Sequence, residues 1–388
     1  MMRETIPVAI LFSSTGPYAD LGKAALAGAM AAIGDVNTDA GFPFRLKPVL
    51  AEPGGVAEAY GLHADQILRQ TGCRHIVGTI TSWSRKEVIP VVERHGALLW
   101  YAFPYEGYET NDSVLYFGAC PNQHLLPLLN HVMPRYGSRP FLVGSDYIWG
   151  WEINRIAREL IETTGGAVAG ERYLPLGSTD VDGLIGEIRA ARPDFVLSNL
   201  IGPSARAFVE AYAELGRTDR SFAPARRPIA SCNMTEIDLA AIGPAAAGHL
   251  STAIYFDGLP TSESIDFLAQ FAARQGQFPR LSSCHVSAYS VVTILAHAIA
   301  AAGTPDPDAV RRIVTTRSFD SPLGPVTVDP ATQHAAVRPH LGRARANGTF
   351  EIIESGSSAI PADPYLVGIA SRLMQPAPAS NTALRVVK

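Results

Sequence analysis

Short apolar runs alternate with helical stretches along most of this chain, which predicts an α/β protein with parallel sheets covered by helices on both faces. At 388 residues the chain exceeds what one compact core accommodates, so two domains are expected. All four tryptophans (Trp83, Trp100, Trp149 and Trp151) fall in or just past three of the apolar runs, together with Tyr101, Phe103, Tyr105, Tyr108 and Tyr147. Open α/β sheets bind ligands beyond the carboxyl ends of their strands. Aromatics gathered there read as the wall of a small-molecule site.

The elements follow in order. Strand-like 6–12 precedes an Ala-rich helical stretch at 21–37, 44–50 precedes 56–70, and 75–80 precedes 85–94. Strands at 97–102 and 114–117 lead to a helix at 125–136, then strand 141–144 and helix 152–163. Strand 168–174 precedes helix 181–191, strand 195–200 precedes helix 206–215, and strands follow at 229–232 and 250–255. The runs are nearly all apolar, as strands covered on both faces require. Beyond 255 come helices at 265–275, Ser283–Ala302 and 307–315, then a short strand at 326–328. A hairpin is expected from 340–345 and 349–354, turning at Asn347-Gly348. Residues 221–228 form a Pro-rich loop, and 375–388 a weakly ordered tail.

Composition excludes several functions. Net charge is −4 without a long basic run, which argues against nucleic acid as a direct ligand. The apolar stretch at 286–302 carries Ser287, Ser290 and His297 and reads as a buried helix, too short for a bilayer. The cysteines Cys73, Cys120, Cys232 and Cys284 are widely spaced and read as buried thiols, with no disulfide or metal pattern. Phosphate-binding, dinucleotide, zinc-protease and nucleophile-elbow motifs are missing, and no cofactor is expected. His124 and His131, seven apart, read as helix decoration. Asp146 could act as a base, but no nucleophile stands with it, so no catalytic residue is expected. The opening residues lack a secretory signal, which places the chain in the cytoplasm unless a leader was missed upstream, in which case it is periplasmic.

A set of motifs carries a family resemblance. These are Leu11-Phe12-Ser13-Ser14-Thr15-Gly16, Val77-Gly78 with Ser84-Arg85-Lys86, and Pro90-Val91-Val92-Glu93-Arg94. They continue with Tyr101-Ala102-Phe103-Pro104-Tyr105-Glu106-Gly107, Ala119-Cys120-Pro121-Asn122-Gln123, Gly144-Ser145-Asp146-Tyr147-Ile148 and Asp363-Pro364-Tyr365. Over residues 6–367 the chain resembles the type I periplasmic-binding-protein superfamily. Within it the chain is most similar to amide-sensing regulators of aliphatic amidase (AmiC type) and to binding proteins for amides, urea and branched-chain amino acids.

The resemblance implies two doubly wound parallel-sheet lobes joined by a three-crossing hinge, with crossings near residues 120, 254 and 330. The first lobe would hold 1–120 plus 255–330, the second 121–254 plus 331–388. Ligand would sit between them without catalysis. Ser82 and Tyr147 match ligand-contacting residues of the family, and Tyr101 matches a pocket residue; capping by Ser82 or Ser84, and packing by Tyr101 or Tyr147, are the alternatives. Trp83, Leu200, Asn233 and Tyr255 are further candidates, being just past strands or at a crossing. Arg85 and Lys86 are expected to be exposed at a helix start. Phe103 and Trp149 replace hydroxyl-bearing family residues, which makes the pocket less polar and suits a ligand with an aromatic or apolar part beside a small polar head. Asp146, Asp257 and Glu106 leave an amino acid open as ligand. The resemblance implies a cytoplasmic sensor of a small amide-like or urea-like ligand, controlling an RNA-binding antiterminator. The alternative is a transporter component delivering solute to an ABC permease, and a homodimer is compatible with either role.

Overall fold

The computed structural model describes residues 3–275 and 280–367. Strands β1 (Glu4–Leu11), β2 (Phe44–Ala51), β3 (His75–Gly78), β4 (Leu98–Tyr101) and β5 (Val114–Tyr116) form a wholly parallel sheet in the order β2-β1-β3-β4-β5. The helices α1 (Ala19–Thr38), α2 (Ala57–Gln70) and α3 (Ser82–His95) connect them. Strands β3 and β4, inside the sheet, and β5, at its end, are buried at every position. Edge strand β2 begins by alternating, with Phe44 and Leu46 inward and Arg45 and Lys47 outward, as one solvated face requires.

The second sheet repeats the plan. Strands β6 (Phe141–Ser145), β7 (Gly170–Leu174), β8 (Val196–Asn199), β9 (Ile229–Ser231) and β10 (Leu250–Ala253) run parallel in the order β7-β6-β8-β9-β10. Its connecting helices are α4 (Leu125–Tyr136), which leads into β6, then α5 (Ile148–Thr163), α6 (Asp182–Ala191), α7 (Gly202–Thr218) and α8 (Glu236–Ile242). The chain then forms α9 (Ser262–Gln275), α10 (Ser283–Ala302) and α11 (Pro307–Thr316) before the hairpin β11 (His340–Ala344) and β12 (Phe350–Ser355). The hairpin pairs antiparallel onto β10, and Gly348 at φ +75° supplies the left-handed turn residue. The protein is thus an α/β fold of two doubly wound parallel-sheet lobes, the second with an antiparallel edge.

Although α10 is long and apolar enough to span a bilayer, it is mostly buried and packs along α1 of the first lobe. The helices approach so closely that a Cβ on Gly28 would stand 2.0 Å from the His285 carbonyl oxygen. Any side chain there would force the pair apart. The expected strand at 326–328 is reduced to single bridges, Phe319 with Val326 and Val328 with Ala335. Pro322, Pro325 and Pro330 lack the N–H groups a longer ladder needs. The expected tail at 375–388 lies outside the described residues.

In each sheet the order reverses between the first and third strands, and the crevice at such a switch point is where ligands bind. The loops leaving β1 and β3 carry residues 12–18 and 79–81, with Ser82 opening α3; those leaving β6 and β8 carry 146–147 and 200–201. Ser82, Tyr147 and Leu200 therefore lie at or beside the two switch points.

Candidate ligand-binding site

Helix α3 opens with a capping box: Thr81 Oγ1 accepts from Ser84 N at 3.2 Å, and Thr81 N donates to Ser84 Oγ at 3.0 Å. Thr81 and Ser84 cap the helix, so Ser82 does not. Its hydroxyl donates to Glu106 in the loop after β4. Arg85 is not exposed as expected but fully buried. Its Nη2 lies 3.0 Å from Glu106 Oε1 and its Nε 2.8 Å from Glu109 Oε1. The guanidinium carbon also sits 4.7 Å from the Tyr101 ring centroid and 4.6 Å from that of Tyr105. Loop residues 21 and 24 positions later thus draw Arg85 inward, and such pairing is what makes a buried charge tolerable. Lys86 remains exposed and pairs with Glu109 at 2.9 Å. Burial acts to raise the Glu109 carboxyl, but Arg85 and Lys86 outweigh it and hold the group at about 2.

Trp83, on α3, meets the edges of Tyr147 and Trp151 with ring centroids 5.6 and 6.2 Å apart. Tyr147 stands at the start of α5, so this contact joins the two lobes. Its hydroxyl makes no hydrogen bond among the described residues; burial, with Tyr101 and Glu106 nearby, raises its pKa and keeps it a protonated donor. Tyr101 donates to the Ile80 carbonyl at 2.9 Å, which occupies its hydroxyl. Trp100 departs from the expected aromatic wall: it is wholly buried, stacked on Phe117 at 5.6 Å, and donates to His75 Nδ1 at 3.2 Å. A tryptophan inside a covered strand belongs to the core. Asp146 accepts from Trp151 Nε1 at 2.8 Å.

A cavity of about 570 Å³, counting solvent at its open side, lies where the two lobes meet. Leu21, Ala102, Phe103 and Pro104 line it from the first lobe, and Asn233, Thr235, Thr252 and Ile254 from the ends of β9 and β10. Ser283, Cys284 and Ser287 of α10, together with Ala119, His124 and Cys232, complete the wall. Among the described residues, no charged side chain lines it. Of the sequence-derived candidates, Phe103 and Asn233 reach this cavity. Asn233 is internally satisfied, donating to the Leu200 carbonyl at 2.9 Å and accepting from Ser231 at 2.9 Å. Leu200 lines a separate small pocket against α7, and Tyr255 is buried beyond β10 away from the lining. Trp149 packs on His124, with ring centroids 5.4 Å apart. His124 is therefore a lining residue, not helix decoration. A histidine at a helix start carries no periodicity, so the sequence held little signal for it. His131 instead hydrogen-bonds Glu354 at 2.6 Å. All four cysteines are buried free thiols, as expected.

Residues 6–371 match the family model described as "Periplasmic binding protein domain". The chain belongs to this family. Its cytoplasmic placement is thereby corrected: the family and its relatives point to the periplasm, whereas the opening apolar run serves as β1 and does not report the compartment. Similar proteins include the leucine-, isoleucine-, valine-, threonine- and alanine-binding protein of Pseudomonas aeruginosa, 24% identical over 85% of this chain and 87% of that protein. A stretch of 121 residues, 31% of this chain, is 30% identical to 22% of a limonene hydroxylase of Geobacillus stearothermophilus. The chain spans about a fifth to a half of the first curated relatives it matches. Among solved structures, an ABC-transporter solute binding protein of R. palustris in complex with 4-hydroxybenzoate superposes with a TM-score of 0.81. It is 23% identical, covering 92% of this chain and 98% of that one, and the likeness shows the shared fold of this periplasmic binding protein domain.

Proposed function

We propose that this chain is the solute-binding component of an ABC transporter and carries a small aromatic carboxylate to a membrane permease. The observation that carries this reading is the cavity, whose walls are apolar and small-polar without a charged side chain. Phe103, Pro104, Leu21 and Ile254 offer apolar faces suited to a planar ring. An amino-acid ammonium would need a free carboxylate. Asp146 is bonded to Trp151, Glu106 to Ser82 and Arg85, and neither these nor Asp257 lines the cavity.

Helices α1, α5 and α7 begin at the cleft without side-chain caps, and the positive ends of their dipoles suit the carboxylate end of the ligand. Ser82, Trp83, Tyr101, Tyr147 and Leu200 are assigned to the cleft around that end, with the hinge at the crossings near residues 120, 254 and 330. Solved relatives of this fold in complex with 4-hydroxybenzoate and 3,4-dihydroxybenzoic acid support the same solute class. The periplasmic family also favours a permease as partner over the antiterminator that an amide sensor would regulate.

A thermal-unfolding panel tests the reading with benzoate, leucine, urea and acetamide. Benzoate at about 100 times its dissociation constant stabilises the protein by roughly 2.7 kcal/mol. Stabilisation by leucine or acetamide, and none by benzoate, contradicts it.

A further inference from the structure

We infer that Ile254 limits the length of the solute, by standing between the interlobe cavity and a second cavity that adjoins it; this deepens the solute class proposed above and rests on it. Two residues, Ile254 and Ser287, line both the interlobe cavity and a neighbouring one of about 490 Å³, counting solvent at its open side. The two spaces therefore meet at these side chains. The second cavity is mainly apolar, walled by Phe117, Val291, Ile294 and Val326 beside Ser290 and the partly exposed Arg338.

Of the two shared residues, Ile254 supplies the bulk, because a serine ends at its hydroxyl. Ile254 is also a firm obstacle. It is β-branched and therefore stiff at χ1, whereas an unbranched methionine adapts its shape to a ligand. Its backbone is fixed as well: Ile254 directly follows β10, which is paired on both sides, to β9 and to β11. Its side chain is buried within the hydrophobic core. A solute too long for the first cavity extends toward the second past Ile254 and Ser287, and Ile254 obstructs that path. An alkyl group that did pass would meet apolar surface on the far side. Ile254 thus divides one continuous apolar space into a part the solute fills and a part it does not reach.

Calorimetric titration of the purified protein with benzoate and 4-butylbenzoate tests the inference, since the two probes share ring and carboxylate and differ only in length. The wild type binds 4-butylbenzoate at least about tenfold more weakly than benzoate, as a single methylene in an apolar pocket is already worth about that factor. Ile254→Ala opens the path and binds 4-butylbenzoate at least as tightly as benzoate, through tighter binding of the longer probe and not weaker binding of the shorter. Ile254→Val, a smaller truncation that keeps the β-branch, narrows the wild-type difference by at least about threefold, as loss of one methylene allows. It decides the matter where Ile254→Ala fails to fold. Equal or tighter wild-type binding of 4-butylbenzoate overturns the inference and leaves the aromatic-carboxylate reading standing. A wild-type difference that persists unchanged in the variants overturns it too. Failure of both probes to bind the wild type overturns both readings.

Discussion

Arg85 Nη2 lies 3.0 Å from Glu106 Oε1, in a contact whose side chains are 0% and 4% exposed. Through it, the first turn of α3 is tied to the loop that follows β4. Removing one partner of a buried pair strands the other charge, which costs about 3–5 kcal/mol. Arg85→Met is therefore expected to lower stability by about that amount in urea unfolding, and Lys86→Met, at an exposed site, by less than about 1 kcal/mol. Equal effects of the two substitutions would show that burial of Arg85 does not matter.

Across the cleft, Arg206 on α7 pairs with Asp20 in the first turn of α1. Gly202 at the start of α7 approaches so closely that a Cβ would lie 2.2 Å from the Pro17 carbonyl oxygen. These contacts hold the lobes together in the described arrangement. Arg206→Ala should weaken solute binding by about two- to fivefold, as for a partly exposed pair, chiefly through faster dissociation. Stopped-flow dissociation rates check this; an unchanged off-rate would separate the pair from closure.

Tyr147 is buried at the mouth of the cleft with a hydroxyl unused by the described residues. Tyr147→Phe should reduce affinity for a carboxylate solute by about three- to tenfold while leaving the unfolding midpoint of the free protein unchanged. A fall in free-protein stability with intact affinity would assign the hydroxyl to packing instead.

Stability should depend on pH in two opposing ways. His75, His124, His249, His285, His334 and His340 are held by burial at about 3 to 4 in the folded state. Below about 6.5 the unfolded chain takes up protons that the folded chain refuses, so stability falls as pH drops toward 4. Glu236 moves the other way: burial pushes its carboxyl up to about 8, so its contribution is present below about 4.5 and is lost as pH rises to 8. The six histidines outnumber the three carboxyls that burial raises, Glu236, Asp238 and Asp257, and maximum stability is expected near pH 6.5. Glu236→Gln should flatten the decline between pH 6.5 and 8. Urea midpoints across this range measure both limbs, and an unchanged alkaline limb in the variant would contradict the assignment.

The β/α alternation and the Asn347-Gly348 hairpin were legible because they depend on local periodicity and turn chemistry. Ser82 and Tyr147 were placed beyond strand ends, and both stand at helix starts a few residues past β3 and β6. The environment of Arg85 was not legible: its partners Glu106 and Glu109 arrive from a loop beyond the next strand, and no helical spacing links them. Trp100 and Trp149 look alike in sequence, yet one is inside a covered strand and the other beyond a strand end. His124 escaped notice for a related reason. Only the meeting of the lobes gives it a cavity to face.

A crystal structure with bound benzoate measures directly where an aromatic acid binds. The expected result is the ring between Phe103 and Ile254 beside His124, with the carboxylate toward the starts of α1, α5 and α7. Benzoate bound only outside this cavity, or a cavity filled instead by an amino acid with a carboxylate on its ammonium, would contradict it.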